Sequence, residues 1–503
     1  MSLDEILRKG EPASSHRPWP RAVVSVATWN EAIAGLAGGD WQLLGLWGEA
    51  DRVHMALLDA PKAAVGIVTL DCPERRYPSV SLHHPPALRL ERTIRDIHGL
   101  QPEALPDPRA WLDHGNWDLR HPLAAKPEPT PIDKAYAFLP AEGDGLHQIP
   151  VGPVHAGIIE PGHFRFTANG ETVVRLEPRL GYVHKGIEGL MVGANLAKAA
   201  QLAARASGDS TVAYGLAFAR AVEAALGAEA PPRENHLRAL MAELERLANH
   251  LGDFGAICND ASFTLMLAHC GILREKVLRA AGDVFGHRLM RDLILPGGAG
   301  ADINQNGVHA IRSLVGEIQA RFPALVELYD NTASLQDRTV TTGTVKPDLA
   351  RQYAPGGFIG RASGRAFDAR KHLAYAPYDE LAFEVAVLEA GDVNARVWIR
   401  IREIEQSLRL VIQLLERMPQ GEVRINLPVV GHACEGIALV EGFRGDILVW
   451  LRLNADNSIA RCHLRDPSWF QWPLLEAAIQ DNIVADFPLC NKSFNCSYAG
   501  HDL

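Results

Sequence analysis

The pattern of apolar and polar positions divides the chain into a short mixed part and a long, mainly helical part. In the short part, Val53–Leu58 and Ala64–Leu70 are dominated by aliphatic residues and predict two strands. Leu88–Ile97 carries apolar residues at helical spacing between charged ones and predicts an amphipathic helix. These elements together predict a small α+β domain that ends near Leu123.

Helical periodicity dominates the chain from about residue 185 onward. The segment Glu234–Leu251 follows Pro231–Pro232 and repeats leucine or methionine at the spacing of one buried helix face. Residues 340–381 are rich in glycine and predict irregular structure. Further helices are predicted at residues 185–205, 209–226, 262–285, 308–329 and 383–418.

A period of two returns in the C-terminal third of the chain. Ile437–Glu441 and Asp446–Leu453 predict antiparallel strands, with a turn at Arg444–Gly445. We expect these strands to pair with a ribbon predicted at residues 149–170. A final helix is predicted at Pro473–Ile483, followed by a polar C-terminal tail.

The ribbon at residues 149–170 concentrates titratable groups. A segment rich in glycine and proline leads into alternating positions, and Asn169–Gly170 favours a hairpin turn. The ribbon carries His155, Glu160 and His163, and imidazole and carboxylate groups both exchange protons near neutral pH when burial adjusts them. The sequence therefore predicts a ribbon that presents these groups to a cleft. A surface hairpin with solvated polar residues is the alternative.

Size and charge limit the classes of function. A chain of 503 residues predicts two or three domains. A net charge of −10 argues against nucleic acid or an anionic membrane surface as the main partner. No apolar run of about 18 residues exists to span a bilayer. The N-terminus is charged and lacks an apolar signal core, so we expect a cytoplasmic location.

Changes in composition divide the chain into four segments. Residues 1–22 are polar and contain several prolines, and we expect them to be loose. Residues 23–123 form the α+β domain, residues 124–148 a Pro-rich linker, and residues 149–503 the main domain. The expected fold class is α+β, with the small N-terminal α+β domain followed by a mainly helical domain that contains an antiparallel β-subdomain.

The seven cysteines are scattered and never spaced CxxC. This pattern argues against a disulfide framework and against a zinc or iron–sulfur site. We expect most of them to be small buried hydrophobic residues. A metal site is the alternative for two pairs of neighbouring residues, His432 with Cys434 and Cys462 with His463.

Several motifs, in the same order along the chain, resemble one known family. Residues 151–188, Glu245–Leu251 and Glu441–Asp446 resemble the large subunit of group 4 membrane-bound [NiFe]-hydrogenases, including formate hydrogenlyase. They also resemble the D-type subunit of complex I, the respiratory NADH-quinone oxidoreductase. Glu91–Asp96 and Asp107–Arg109 resemble the C-type subunit of complex I. The resemblance extends from about residue 25 to the end and implies a fusion of the C-type and D-type subunits.

The chain departs from the hydrogenases at the nickel ligands. Hydrogenases bind nickel and iron with four thiolates from two CxxC pairs, because soft sulfur ligands suit these metals. By resemblance, the ligand positions fall on Ser207, Ser210, Ser497 and Gly500. An alcohol does not ionise at neutral pH and cannot replace a thiolate. We therefore predict that this chain has no metal site.

The resemblance assigns roles to the remaining polar residues. Glu160 matches the glutamate that passes protons to and from the metal in hydrogenases, and Arg205 matches the arginine beside that site. His163 and Asp260 match the histidine that binds the quinone headgroup in complex I and its partner aspartate. Gly208 stands where complex I has a quinone-binding tyrosine, which weakens the match for quinone. A buried Asp260–His163 pair would raise the histidine pKa, and burial of Glu160 would favour its protonated form.

The resemblance implies the large subunit of a hydrogenase-related, complex I-like oxidoreductase that lacks the NiFe centre and couples redox or proton chemistry to ion translocation. The implied partners are a small subunit like the B-type subunit of complex I, which carries an iron–sulfur cluster, and antiporter-like membrane subunits. The chain would then lie on the inner face of the cell membrane. No cofactor other than a quinone is expected on it, and no GxGxxG motif suggests a dinucleotide such as NAD.

Three alternatives remain open at this stage. The alternatives to the function given above are a quinone-binding subunit of the NADH-quinone oxidoreductase type, a non-catalytic scaffold and a functional hydrogenase. The role of Cys490 and Cys496, the electron donor and acceptor, and the ion moved are left open by the sequence.

Overall fold

A five-stranded sheet forms the centre of the N-terminal part. The computed structural model of the protein describes residues 2–129 and 136–503. The elements of this part are α1 (Leu3–Arg8), β1 (Glu11–Pro12), β2 (His16–Arg17), β3 (Arg21–Val23), α2 (Val26–Gly38), β4 (Gln42–Gly48), β5 (Arg52–Asp59), β6 (Ala64–Asp71), β7 (Arg76–Pro78), α3 (Leu88–His98), β8 (Gln101–Glu103), β9 (Leu119–Arg120) and β10 (Glu128–Pro129). The strand order is β1-β3-β6-β5-β4, and its β3–β6 pair is parallel. The two predicted strands and the predicted helix are confirmed as β5, β6 and α3.

The first residues are ordered, which corrects the expectation of a loose segment at residues 1–22. The Ser2 hydroxyl and the Glu5 carboxylate cap α1 reciprocally. The helix buries Leu3, Ile6 and Leu7, and it packs against β6. Composition missed this helix because three apolar residues on one face are enough to dock so short an element.

The predicted linker is structured at both ends. β9 and β10 pair antiparallel at its start, and its last residues enter the strand β11 (Leu146–Val151). Residues 130–135 of the predicted linker lie outside the described residues. Residues 136–145 contain no helix or strand.

The predicted ribbon is present as part of a three-stranded sheet. β12 (His163–Asn169) and β13 (Thr172–Arg179) form its hairpin, and β11 pairs with the other edge of β12. Gly170 adopts a φ of 58° at the turn, as an Asn-Gly hairpin requires. His155 and Glu160 lie in the loop between β11 and β12, so they stand at the opposite end of the ribbon from the turn.

Helices form most of the main domain. They are α4 (Ile187–Met191), α5 (Leu196–Ala203), α6 (Thr211–Leu226), α7 (Pro232–Asp260), α8 (Thr264–Phe285), α9 (Gln305–Asn331), α10 (Ala333–Thr339), α11 (Pro347–Tyr353), α12 (Gly357–Ala362), α13 (Ala369–His372) and α14 (Val393–Glu416), with a small ribbon of β14 (Ile294–Leu295) and β15 (Gly298–Ala299). α7 is the central helix and packs against α6, α8 and α14. The predicted helix at 383–418 begins ten residues later than expected, at the Asp392 cap. No helix within the described ranges is both long and apolar enough to cross a membrane.

The C-terminal strands form a separate sheet. β16 (Cys434–Gly442), β17 (Gly445–Leu453) and β18 (Ile459–Arg465) are antiparallel. The prediction that they pair with the ribbon is wrong, because β2 from the N-terminus occupies the free edge of β16, with Glu435 opposite His16. Both edges of β12 are likewise occupied, by β11 and β13.

The C-terminal tail is helical and buried, although its polar composition predicted otherwise. α15 (Ser468–Ala478) is the predicted final helix, five residues earlier than Pro473–Ile483, and the tail after it consists of α16 (Phe487–Phe494) and α17 (Tyr498–Asp502). The buried polar residues of the tail are bonded: the Arg396 Nε donates to Ser493 Oγ at 3.0 Å, and Val183 N donates to Asp502 Oδ2 at 3.1 Å. A polar segment can be buried when each polar group finds a partner.

The core beside α7 contains paired charges. Arg361, whose side chain is 1% exposed, donates to Glu403 and to Glu441, each at 2.8 Å. Arg370 donates to Glu243 at 2.8 Å. Buried charges are tolerated only when they are paired in this way.

Candidate functional site

A cavity of about 530 Å³ lies where three loops meet beside α7 and α8. Glu160 comes from the loop between β11 and β12. Ser207 and Asp209 come from the turn before α6, and Ser497 precedes α17. These loops are far apart in the sequence, and the cavity exists only because the C-terminal helices pack back onto the start of α6.

Glu160 faces this cavity with an exposed side chain, whereas we expected it to be buried. Its Oε2 accepts a hydrogen bond from Ala499 N at 3.0 Å. The backbone of α17 therefore orients the carboxylate, while the carboxylate stays accessible from the cavity.

The positions that resemble nickel ligands are close together but do not fit a nickel–iron centre. The Oγ atoms of Ser207 and Ser497 lie 2.8 Å apart and share a hydrogen bond. Ser210 Oγ accepts a hydrogen bond from Arg444 at 3.1 Å, and Gly500 has no side chain. The two hydroxyls are hydrogen-bonded to each other, and none of these groups supplies the thiolate that a nickel–iron centre requires. Among the residues that the structure describes, no three His, Cys, Asp or Glu side chains cluster as metal ligands would.

An ion pair occupies the inner wall of the cavity. Arg444, from the turn between β16 and β17, donates to Asp209 Oδ1 at 2.7 Å and to the Asn495 carbonyl at 2.6 Å. Burial alone would raise the pKa of Asp209, but the Arg444 guanidinium outweighs it and lowers this pKa to about 2. Neither residue was predicted from the sequence to belong to the site, although Arg444 lies inside the motif Glu441–Asp446.

Gly500 cannot accept a side chain in this structure. A Cβ there would lie 2.5 Å from Asp466 Oδ2, and Asp466 is fixed because the Tyr214 hydroxyl donates to it at 2.7 Å. We expect Gly500→Ala to lower the free energy of unfolding by about 1–3 kcal/mol through overpacking. Gly208→Ala is the matched control, because a Cβ at Gly208 meets nothing within 4 Å; it should change stability by less than about 0.5 kcal/mol. Urea unfolding followed by tryptophan fluorescence measures both, and equal losses would contradict the steric argument.

The structure does not bring His163 and Asp260 together in the expected pair. The His163 ring contacts the Gly152 carbonyl at 3.4 Å and accepts from Arg165 Nε at 3.3 Å. Burial is the main effect on the pKa of His163 and lowers it. Asp260 is the last residue of α7, where burial raises its pKa. No hydrogen bond or ion pair joins the two among the described residues, and the binding of a quinone by them stays a prediction.

Arg205 also lies outside the cavity wall. It forms an exposed ion pair with Asp292 at 2.7 Å. The difference arises because the main chain turns sharply between Ala203 and Ser210, which directs Ser207 inward and leaves Arg205 at the surface.

A smaller cavity of about 130 Å³ adjoins the first and shares Gly208, Asp209, Asn249 and Arg274 with it. Its wall includes Glu245, whose carboxylate accepts from Val212 N at 2.7 Å at the start of α6. Burial raises the pKa of Glu245 to about 8. The glutamate is therefore a proton-holding group next to the main cavity, and nothing in the sequence distinguished it from the other charges of α7.

The raised pKa of Glu245 predicts a pH effect on stability. Because the folded pKa of about 8 exceeds the unfolded value of about 4.3, the folded protein keeps a proton that the unfolded chain loses. This contribution to stability is complete at low pH and is lost as the pH rises from the unfolded pKa of about 4.3 through the folded pKa of about 8. Glu245→Gln removes it, so the stability of the variant relative to the original protein should rise between pH 5 and pH 9. Urea midpoints measured at both pH values test this, and parallel pH profiles would contradict it.

Comparison with known proteins decides the family. Residues 260–431 match the family of the respiratory-chain NADH dehydrogenase 49 Kd subunit. The chain is 31% identical over 448 residues to formate hydrogenlyase subunit 5 of Escherichia coli (strain K12), which covers 86% of this chain and 78% of the relative. It is 32% identical over 445 residues to hydrogenase-4 component G of the same organism, with 86% and 77% covered. The chain belongs to the family of hydrogenase large subunits related to complex I.

Two further relatives support the fusion of C-type and D-type subunits and the fold. The C/D fusion subunit of NADH-quinone oxidoreductase from Bacteroides fragilis (strain YCH46) is 26% identical over 400 residues, which covers 75% of each chain. A chain in the structure of the membrane-bound sulfane sulfur reductase, an archaeal respiratory membrane complex, superposes with a TM-score of 0.67 at 24% identity. It covers 71% of this chain and 99% of that chain, and this likeness supports the α+β fold of the family.

Proposed function

We propose that this chain is the large subunit of a membrane-associated, complex I-like oxidoreductase in which Glu160 exchanges protons at the cavity. The observation that carries the proposal is the geometry of that cavity. A carboxylate oriented by a main-chain N–H at 3.0 Å faces a hydroxyl pair at 2.8 Å where relatives of the family would have metal ligands. The site keeps an acid–base group, and the four positions that resemble the nickel ligands carry no thiol.

The proposed partners follow from the surface around the cavity. Ile158 is 99% exposed, and Ile159 and Leu267 at the cavity mouth are 41% and 36% exposed. Val154, in the same loop as Ile158, and Leu265, two residues before Leu267 in α8, are also apolar and are 80% and 52% exposed. Such a patch is typical of a protein interface. We propose that an iron–sulfur small subunit binds here and delivers electrons next to Glu160, and that integral membrane subunits complete the assembly.

The quinone alternative has less support. His163 has contacts at both ring nitrogens, at 3.4 and 3.3 Å, and Gly208 contributes no hydroxyl. The main cavity is instead lined by charged groups such as Glu160, Asp253 and Arg274, which favours a polar substrate or protons over an apolar headgroup.

The proposal is tested by purifying the assembly through a tag on this chain and identifying its subunits and metals in one sample. We expect an iron–sulfur subunit and membrane subunits in fixed ratio, with iron present and nickel below one atom in ten chains. Nickel at one atom per chain would overturn the proposal. Recovery of the chain without any redox subunit would favour the scaffold alternative.

A further inference from the structure

The smaller cavity, which has Glu245 in its wall, follows the main cavity along α8. Leu267 and Gly271 line the main cavity, Arg274 lines both, and Val277 lines the smaller one. The two cavities therefore succeed each other on one side of the helix.

Gly208 stands at the junction of the two cavities. It lines both of them, and a Cβ added there would meet nothing within 4 Å. Asn249 fixes the wall beside it, because its side-chain nitrogen donates to the main-chain carbonyls of Asp209 at 2.8 Å and of Glu245 at 2.9 Å. A glycine at position 208 leaves the junction open, whereas a larger side chain would occupy it.

The smaller cavity is suited to hold water. Its volume of about 130 Å³ has room for several molecules, since the share of one molecule in liquid water is about 30 Å³. Buried water needs polar partners, and the wall supplies Asp209, Glu245, Asn249, Arg274 and Arg288. A hydrogen-bonded chain of water can therefore connect Glu245 to the junction at Gly208.

Glu245 is suited to hold and release a proton in this wall. Burial raises its pKa to about 8, and the charge of Asp209 adds to this effect, against the opposing effects of Arg246 and of two N–H groups of α6. Asp209 itself is ionised beside Arg444, with a pKa of about 2. The other charged groups that face Glu245 stay protonated because a guanidinium does not lose its proton in proteins; they are Arg246, Arg274 and Arg288.

The smaller cavity also reaches the protein surface, away from the mouth of the main cavity. Arg288 lies in its wall, and the side chain of this residue is 55% exposed. The main chain of Arg288 packs beside Gly282, which is about four turns of α8 beyond Leu267 at the mouth. A subunit bound over the apolar mouth would close the direct route from solvent to Glu160 and leave the route beside Arg288 open.

We propose that Glu245 supplies protons to Glu160 through the smaller cavity, along water that passes Gly208. In each transfer the Glu245 carboxyl gives one proton to the water chain, and the chain gives one proton to the Glu160 carboxylate. Solvent beside Arg288 then returns one proton to Glu245, and no electron moves in these steps. The inference rests on the proposed function, because it assigns a proton source to Glu160.

The first test compares turnover of the purified assembly with the best donor among reduced nicotinamide, formate and hydrogen. Glu245→Gln should lower turnover by about ten-fold or more, since the amide cannot pass a proton on. Turnover of the original protein should fall as the pH rises through the Glu245 pKa of about 8, and the variant should lack this fall. Glu245→Asp should recover part of both. Glu327→Gln, at an exposed position of α9, is the matched control and should stay within about two-fold.

The second test closes the junction and leaves Glu245 in place. Gly208→Leu should lower turnover by about ten-fold or more. Gly316→Leu is the matched control on α9, because a Cβ at Gly316 also meets nothing within 4 Å. Combined with Glu245→Gln, Gly208→Leu should cause no further loss, since both changes interrupt the same path. Losses that multiply would show that the leucine obstructs the main cavity itself and would overturn the proposal.

The Glu160→Gln variant separates a failure of this inference from a failure of the proposed function. If Glu160→Gln loses turnover while Glu245→Gln keeps it, or if Glu245→Gln keeps the original pH profile, the proton route is wrong and the proposed function stands. If Glu160→Gln keeps its turnover, the proposed function is wrong and this inference is overturned with it.

Discussion

Glu160→Gln is expected to lower the turnover of the assembled oxidoreductase by about 10²–10⁴-fold, the usual contribution of a positioned acid–base group. The amide cannot exchange a proton at neutral pH, but its oxygen can still accept the hydrogen bond that Ala499 N donates at 3.0 Å. The local structure should therefore survive while proton transfer is lost. Turnover is measured on the purified assembly with a panel of donors, including reduced nicotinamide, formate and hydrogen.

Glu171→Gln is the matched control for this experiment. Glu171 is exposed in the turn at the other end of the same ribbon, so the same chemical change there should leave turnover within two-fold. Glu160→Asp should retain part of the activity, because it keeps the carboxylate at a shorter reach. If Glu160→Gln turned over as fast as the original protein, the chain would act as a scaffold.

Arg361→Ala is expected to lower the free energy of unfolding by about 3–5 kcal/mol, the range for breaking a buried ion pair from one side. Glu403 and Glu441 would each lose a partner at 2.8 Å. Burial and the neighbouring Asp368 already raise the pKa of Glu441 to about 7, against the opposing effect of Arg361. Urea unfolding followed by tryptophan fluorescence measures the loss.

Arg351→Ala is the control for Arg361→Ala, since it also deletes an arginine that pairs with an acid. The Arg351 side chain is 72% exposed and its partner Asp348 is 90% exposed, and a pair so exposed contributes about 0–1 kcal/mol. Arg361→Met, which keeps most of the side-chain length, separates loss of charge from loss of packing. Similar unfolding midpoints for Arg361→Ala and Arg351→Ala would show that the buried network contributes little to stability.

Local periodicity predicted the elements that depend on one apolar face. The stripe of Glu234–Leu251 appears in α7, where Leu237, Leu240 and Leu244 are fully buried. The same periodicity could not show that the polar side of α7 is buried as well, since Arg246 and His250 both contact Glu403 from α14. A pattern within one helix carries no information about which charge another helix will place opposite it.

Long-range pairing was the least predictable part of the fold. The sequence contains the strands of both the ribbon and the C-terminal sheet, but the edge of β16 is taken by β2, a two-residue strand more than 400 positions away in the chain. So short a strand has no detectable period. Contacts of the chain that follows it hold this region against β16, such as the ion pair between Arg21 of β3 and Glu435 at 2.9 Å.

The residues of the candidate site were likewise located only in part from the sequence. Resemblance in sequence located Glu160, Ser207 and Ser497, and the structure brings them to one cavity. It did not locate Asp209 with Arg444, and it placed His163 beside Asp260, whereas these two are not bonded in the structure. The roles of Glu160, His163, Asp260 and Arg205 in turnover remain predictions.

The sequence by itself determined which chemistry the four ligand positions can support, because a hydroxyl or a hydrogen has no thiolate form whatever surrounds it. It also determined those helices and strands in which apolar residues recur at the residue period of a helix or of a strand. Only the tertiary structure decided which polar groups are buried and what they face. The Asp209–Arg444 pair and the Ser207–Ser497 contact join residues more than 200 positions apart, and burial, charge and hydrogen bonding at such contacts depend on the packing of the whole chain.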